Sequence, residues 1–112
     1  TLRLVSRQTL ALAFRNDLAE PTNVHWHGLA APPEMDGHPA DLVAPGGSRS
    51  FAFTVEERPG TYWYHPHPDG STARQVYSGM AGFILVFLTA FLARIGALVE
   101  PLIGAGLGSG AV

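Results

Sequence analysis

The chain contains no cysteine. That absence excludes disulfides, thiolate nucleophiles, zinc–thiolate sites and any copper site built on a cysteine sulfur. It leaves the compartment open. Charge is also sparse: 14% of residues are Asp, Glu, Lys or Arg, the formal net charge is −2, and there is no basic run. Nucleic acid is therefore not expected as a partner, because neutralising phosphates takes clustered Lys and Arg. No stretch before residue 80 has a helical hydrophobic period. A membrane span is not expected either. The charge-free run from Gln75 to Ala93 is strongly apolar only from Met80 to Ala93, short of the ~20 residues a span needs. The chain opens on Thr1 without the basic and apolar pattern of a leader peptide.

What is present suits one domain with one core: 112 residues, of which 46% are hydrophobic. Thirteen Gly and nine Pro imply frequent turns. The alternating "QTLALAF" (8–14) reads as a strand, as do "NVHWHG" (23–28), "RSFAFTVEE" (49–57), the aromatic "TYWYHPH" (61–67) and the apolar "GMAGFILVF" (79–87). Phe51, Phe53 and Val55 fall on one face of the third of these. Residues 30–48, dense in Pro and Gly, read as loop. Short strands separated by turns predict an antiparallel β-sandwich or barrel. Residues 88–112 differ in texture: they carry one Arg and one Glu and end in Gly and Ala. They read as an apolar tail, with Leu88 to Val99 a possible short helix before Pro101.

Histidine occurs five times, and four of the five form two His-x-His pairs: His25 with His27, and His65 with His67. On a strand, residues i and i+2 share a face, so each pair presents two imidazoles side by side. Two such strands brought together would place four imidazoles in one pocket. Neutral imidazole binds Cu, Zn, Ni and Fe, and copper most tightly of the divalent ions, although ligand type alone does not separate copper from zinc. One His-x-His is a weak signal; two pairs holding nearly all the histidine favour a metal site. His38, in the polar "DGHPA", is assigned to solvent or a local hydrogen bond. A cupin site would want a Glu a few residues after the second His, whereas Glu34 follows His27 by seven. A three-His zinc site is not excluded by spacing, but nothing else supports it.

The ordered run "TNVHWHGL", "DG", "APGGS", "PGTYWYHPH" and "RQVYSGMAGFILV" resembles the first cupredoxin domain of the multicopper oxidases, closest to the bacterial laccase-like and copper-efflux branch. The resemblance covers residues 9–87 and implies an all-β, Greek-key β-sandwich, with residues 1–87 as the domain and 88–112 as an atypical tail. It implies that O₂ is reduced to water at a trinuclear copper cluster held by eight histidines, four from each of two cupredoxin domains. By position, His25 resembles the ligand of the type 2 copper, His27 and His65 ligands of one type 3 copper, and His67 a ligand of the other. Asp36, in "EMDG", matches an acidic residue that the family links to proton delivery; its alternative is a turn residue before Gly37. Gly28, Trp26, Trp63, Tyr62, Tyr64 and Pro66 read as structural, and Met80 as core rather than an axial copper ligand.

The chain also departs from the family. It carries half of the cluster's histidines and, without cysteine, cannot build a type 1 copper site. Asp69 stands where close relatives often have a further His. Three readings follow. The chain is one piece of a multicopper oxidase whose remaining cupredoxin domains or subunits supply the other ligands; or it is a stand-alone copper-binding or storage module; or it is a metal-free structural domain. Retention of all four histidines argues against the last. An oligomer that rebuilds an eight-His pocket from two four-His faces has no marker in the sequence. For the intact enzyme the resemblance implies O₂ and an electron donor (a phenol, an amine or Cu(I)), and a periplasmic or extracellular setting. Two methionines give no sign of a Met-rich Cu(I) segment.

Overall fold

Among the described residues six strands form two facing sheets, the burial of alternate side chains along Thr9–Arg15 and Ser48–Thr54 marking the inner face of one of them. The computed structural model describes residues 1–90 together with Leu92, Arg94, Ile95 and Leu98. Among the described residues the elements are β1 (Leu2–Val5), β2 (Thr9–Arg15), β3 (His25–His27), β4 (Ser48–Thr54), β5 (Gly60–His65), a helix α1 (Thr72–Tyr77) and β6 (Gly82–Phe87), with a 3-10 turn at Pro33–Met35. One sheet has the order β1-β6-β5-β3, and β2 pairs with β4 in the other. All pairings are antiparallel except β1 with β6.

In the smaller sheet Leu10 lies opposite Phe53 and Leu12 opposite Phe51, and these residues point inward. In the larger sheet the inward face carries Trp26, Ile84 and Val86, flanked by Leu2, Leu4, Tyr62 and Tyr64. Phe51, Val55, Ile84 and Trp26 are all at or below 1% exposure. Burying an aliphatic or Phe side chain of this kind contributes about 1.5–3 kcal/mol, so this seam holds the sheets together. Trp26 meets Phe51 edge-on, with ring centroids 5.2 Å apart. Its indole N–H donates to the Met35 carbonyl at 2.9 Å, which fastens the loop after β3 to the core.

The five expected strands are present; β2 has the expected length shifted by one residue, and the other four are shorter. β5 stops at His65 because Pro66 has no N–H to offer the ladder. β3 ends at His27, where Gly28 turns at φ +90°. β1 was not expected; its pairing with β6 comes from the far end of the chain. The sequence before residue 80 has no helical hydrophobic period, and α1, which lies there, is six residues long and so too short to display one. It is held by tertiary bonds. Gln75, 1% exposed, accepts from the Thr22 hydroxyl at 2.7 Å and donates to the Pro21 carbonyl at 3.1 Å. The expected tail falls mostly outside the described residues; within them, Leu88, Leu92, Ile95 and Leu98 are exposed. No helix among the described residues is long and apolar enough to cross a membrane.

Candidate metal centre

Register brings the histidine pairs together. β3 runs antiparallel to β5, with His25 opposite His65, Trp26 opposite Tyr64 and His27 opposite Trp63. Residues directly opposite each other in a ladder share a face. Trp26 points into the core, so His25, His27 and His65 project from the outer face of the sheet. One ligand nitrogen from each of the three falls within 4.8 Å of the others. His27 Nδ1 lies 3.2 Å from His65 Nε2. That is the separation expected of two nitrogens bound to one ion at about 2.0 Å with an angle of roughly 100–110°.

The hydrogen-bond network assigns which nitrogens face the pocket. The Nδ1–H of His65 donates to the Pro66 carbonyl at 2.9 Å, and that of His25 to the Asp36 carbonyl at 3.0 Å. A neutral imidazole has one N–H, so both rings keep the Nε2 lone pair free for a ligand. His27 faces the pocket with Nδ1 instead. His65 is 6% exposed, and this burial pushes its pKa below the ordinary imidazole value. The Pro66 carbonyl opposes the shift, while positive charge on His25, His27 or His67 would deepen it. The neutral form favoured here is the one that binds metal. Trp63 stacks on the group, its ring 4.2 Å from His65 and 4.8 Å from His27.

His67 lies beyond the end of β5, its ring centroid 5.5 Å from that of His25. It does not join the 4.8 Å group, and its buried Nδ1 has no partner among the described residues. Asp36 follows the 3-10 turn. Its Oδ1 is 3.1 Å from His25 Nδ1, yet the ring proton is directed at the Asp36 carbonyl, and Oδ1 is a buried acceptor without a hydrogen bond. A cleft of about 300 Å³ lined by His25, Asp36, His38 and His67 opens beside it. A bound ion or water would satisfy both orphaned atoms, so the donor set fits a metal of the imidazole-preferring class. His38 Nδ1 accepts from the Ala40 N–H at 3.2 Å, the local bond expected of it, although its side chain also borders the cleft. Met80 is half-buried beside Tyr64, His65 and Pro66. Asp69 is exposed.

Sequence reasoning missed Asn23. This side chain is 2% exposed and bonds to the backbone on both sides of the site. The available signal was a carboxamide in a strand-like stretch, where Asn is disfavoured unless its polar atoms are engaged.

A two-sheet β-sandwich of this kind, with paired imidazoles on an outer face, is a cupredoxin-like domain. The family model described as multicopper oxidase matches residues 1–89. The chain is 38% identical over 86 residues to multicopper oxidase mco of Staphylococcus aureus, covering 77% of this chain and 19% of the relative. It is 39% identical over 88 residues to a copper resistance protein A homologue of Pseudomonas syringae pv. tomato, covering 76% and 14%. Among solved structures, the McoA multicopper oxidase of the hyperthermophile Aquifex aeolicus superposes with a TM-score of 0.74 at 45% identity, over 76% of this chain and 19% of that one. The chain belongs to the multicopper oxidase family. It spans about a fifth of the length of the Staphylococcus and Aquifex proteins.

Proposed function

We propose that this chain is the copper-binding first cupredoxin domain of a multicopper oxidase. In this reading it supplies half of the histidine ligands of a trinuclear cluster that reduces O₂ to water while an electron donor is oxidised. The observation that carries the proposal is the cluster of ring nitrogens from His25, His27 and His65 within 4.8 Å, in a chain of this family. His27 and His65, with facing nitrogens 3.2 Å apart, would share one type 3 copper. His25 would hold the type 2 copper and His67 the other type 3 copper. Copper bound there supplies the redox chemistry and the place where O₂ reacts. The chain's own residues do the rest. The Pro66 and Asp36 carbonyls hold two rings in one tautomer. Trp63 covers the His27 and His65 rings. The Asp36 carboxylate, beside the cleft with an unpaired oxygen, would hold and relay a proton at Oδ1.

The remaining ligands and the electron entry would come from further cupredoxin domains, by analogy with relatives of whose length this chain spans about a fifth. The electron donor would be a phenol, an amine or Cu(I), and the setting periplasmic or extracellular. One observation also favours a simpler activity: the His25, His27 and His65 nitrogens can grip one ion with no partner present. The test is copper per chain after reconstitution with Cu(II) and desalting, with the double variant His65→Ala, His67→Ala as control. One or two coppers, lost in the control, support a copper domain. Oxygen uptake with a phenol then separates a binding module from an oxidase. A folded parent that retains no copper overturns the stand-alone module, and failure to retain it beside a partner domain overturns the cluster reading too.

A further inference from the structure

Three of the four paired histidines stand on strands whose ladders fix them. His67 does not: it lies two residues past the last β3–β5 pair, after a proline that breaks the ladder. Asp36, whose carbonyl orients His25, likewise sits in a loop outside both sheets. One side chain spans these two off-sheet segments. The Asn23 Oδ1 accepts from the His67 backbone N–H at 2.6 Å. Its Nδ2 donates to the Gly37 carbonyl at 2.9 Å and to the His38 carbonyl at 3.0 Å. Both hydrogens of the carboxamide are used, and the group is buried, so it has no alternative partner in solvent.

We propose that Asn23 is a positioning residue for the copper site: it sets the distance between His67 and the Asp36–His38 loop, and through that loop the orientation of His25. The proposal rests on the reading of these histidines as copper ligands. The geometry itself does not. With Asn23 in place, the His67 backbone and the 36–38 backbone are tied to one rigid amide two residues ahead of β3. Without it, the ring of His67 keeps its chemistry but loses its fixed approach to His25, now 5.5 Å between centroids. The hydrogen bonds of Asn23 all go to backbone groups, so it acts through the backbone it holds. Partners of this kind typically change metal affinity by about 10- to 100-fold when removed.

The test uses the whole chain and begins without metal. In the parent, nitrogen-15 NMR is expected to report His25 in the Nδ1–H tautomer, ring contacts between His25 and His67, and slow exchange of the Asn23 side-chain amide and the His67 amide. Fast exchange of both amides overturns the proposal without any variant. Asn23→Asp keeps the size and the acceptor for His67 but removes both donors; Asn23→Ala removes everything. Gln75→Ala is the matched control, since it deletes another buried carboxamide that bonds Thr22 and Pro21 rather than the His67 or 37–38 backbone. Both Asn23 variants are expected to lose the His25 tautomer preference and ring contact, and to bind Cu(II) about 10- to 100-fold more weakly per folded chain. The copper EPR nitrogen couplings should shift with them, while Gln75→Ala keeps parent signatures. Parent-like tautomer, ring contacts and Cu(II) affinity in a folded Asn23→Asp overturn the proposal. Failure of the parent to bind Cu(II) bears on the functional reading instead, and the metal-free NMR still decides the role of Asn23.

Discussion

A side chain at position 37 has no room. Gly37 has φ +63°, and a Cβ there would lie 2.0 Å from the Val24 carbonyl oxygen, a backbone atom that cannot swing aside. Gly37→Ala therefore has to move the loop that carries Asp36. A non-Gly residue in this region costs about 1–3 kcal/mol before any clash. The urea midpoint is expected to fall by more than about 1 kcal/mol in equivalent stability; an unchanged midpoint would mean that the loop does not pack on Val24. His65 gives a prediction of a different kind. Its folded pKa is lowered, chiefly by burial, so the unfolded chain takes up a proton first, near the ordinary value of about 6.5. The stabilising contribution of neutral His65 is therefore complete above about 6.5 and is lost as pH falls from there through the lower folded value. In metal-free protein, urea midpoints at about pH 7.5 and about pH 5 should differ more for the parent than for His65→Gln. Equal pH slopes would contradict burial of a neutral imidazole at this position.

At the scale of elements, β3 shows how three residues serve two layers. Its outer positions carry His25 and His27, and the inner one, Trp26, anchors the seam between sheets. Trp26→Ala should cost about 3–5 kcal/mol, as large-to-small changes at buried aromatics do. Trp26→Phe keeps most of the packing but leaves the Met35 carbonyl unpaired, a loss of about 1 kcal/mol. Thermal and urea unfolding read both; a Trp26→Ala chain with parent stability would remove the seam from the account. The same strand explains what was legible in the sequence. Alternation in 8–14 and 49–57 disclosed β2 and β4, and the i, i+2 spacing of His25 and His27 disclosed their shared face, whereas His67 lies past the end of β5. β1 was not legible, because its four residues owe their pairing to β6, about 80 residues away. α1 was not legible because Gln75 holds it by tertiary bonds rather than by an apolar period. The position of His67 depends on Asn23, a contact across 44 residues that spacing cannot encode.

For the whole molecule, the decisive feature is the outer face of the larger sheet. Register puts Phe83 beside Trp63, and Trp63 beside His27; Leu85 and Phe87 continue the same face along β6, and Val5 lies next to Phe87. The imidazoles thus sit at one end of an apolar surface. Phe83 is 62% exposed, and Leu88 just beyond β6 is 63% exposed. A soluble domain rarely leaves a contiguous apolar patch uncovered unless something docks there. In the proposed reading, a further cupredoxin domain would bury both the patch and the open side of the histidine cluster. The isolated chain is therefore expected to bind a hydrophobic dye and to associate in sedimentation velocity. Phe83→Glu places a charge in the middle of the patch without touching the core, so it should reduce both signals while shifting stability by no more than about 0.5 kcal/mol, the usual range for surface changes. If Phe83→Glu instead unfolds the chain, the face is already packed against something within it. If the parent is monomeric and binds no dye, this surface needs no cover and the histidines must complete their site without a neighbouring domain.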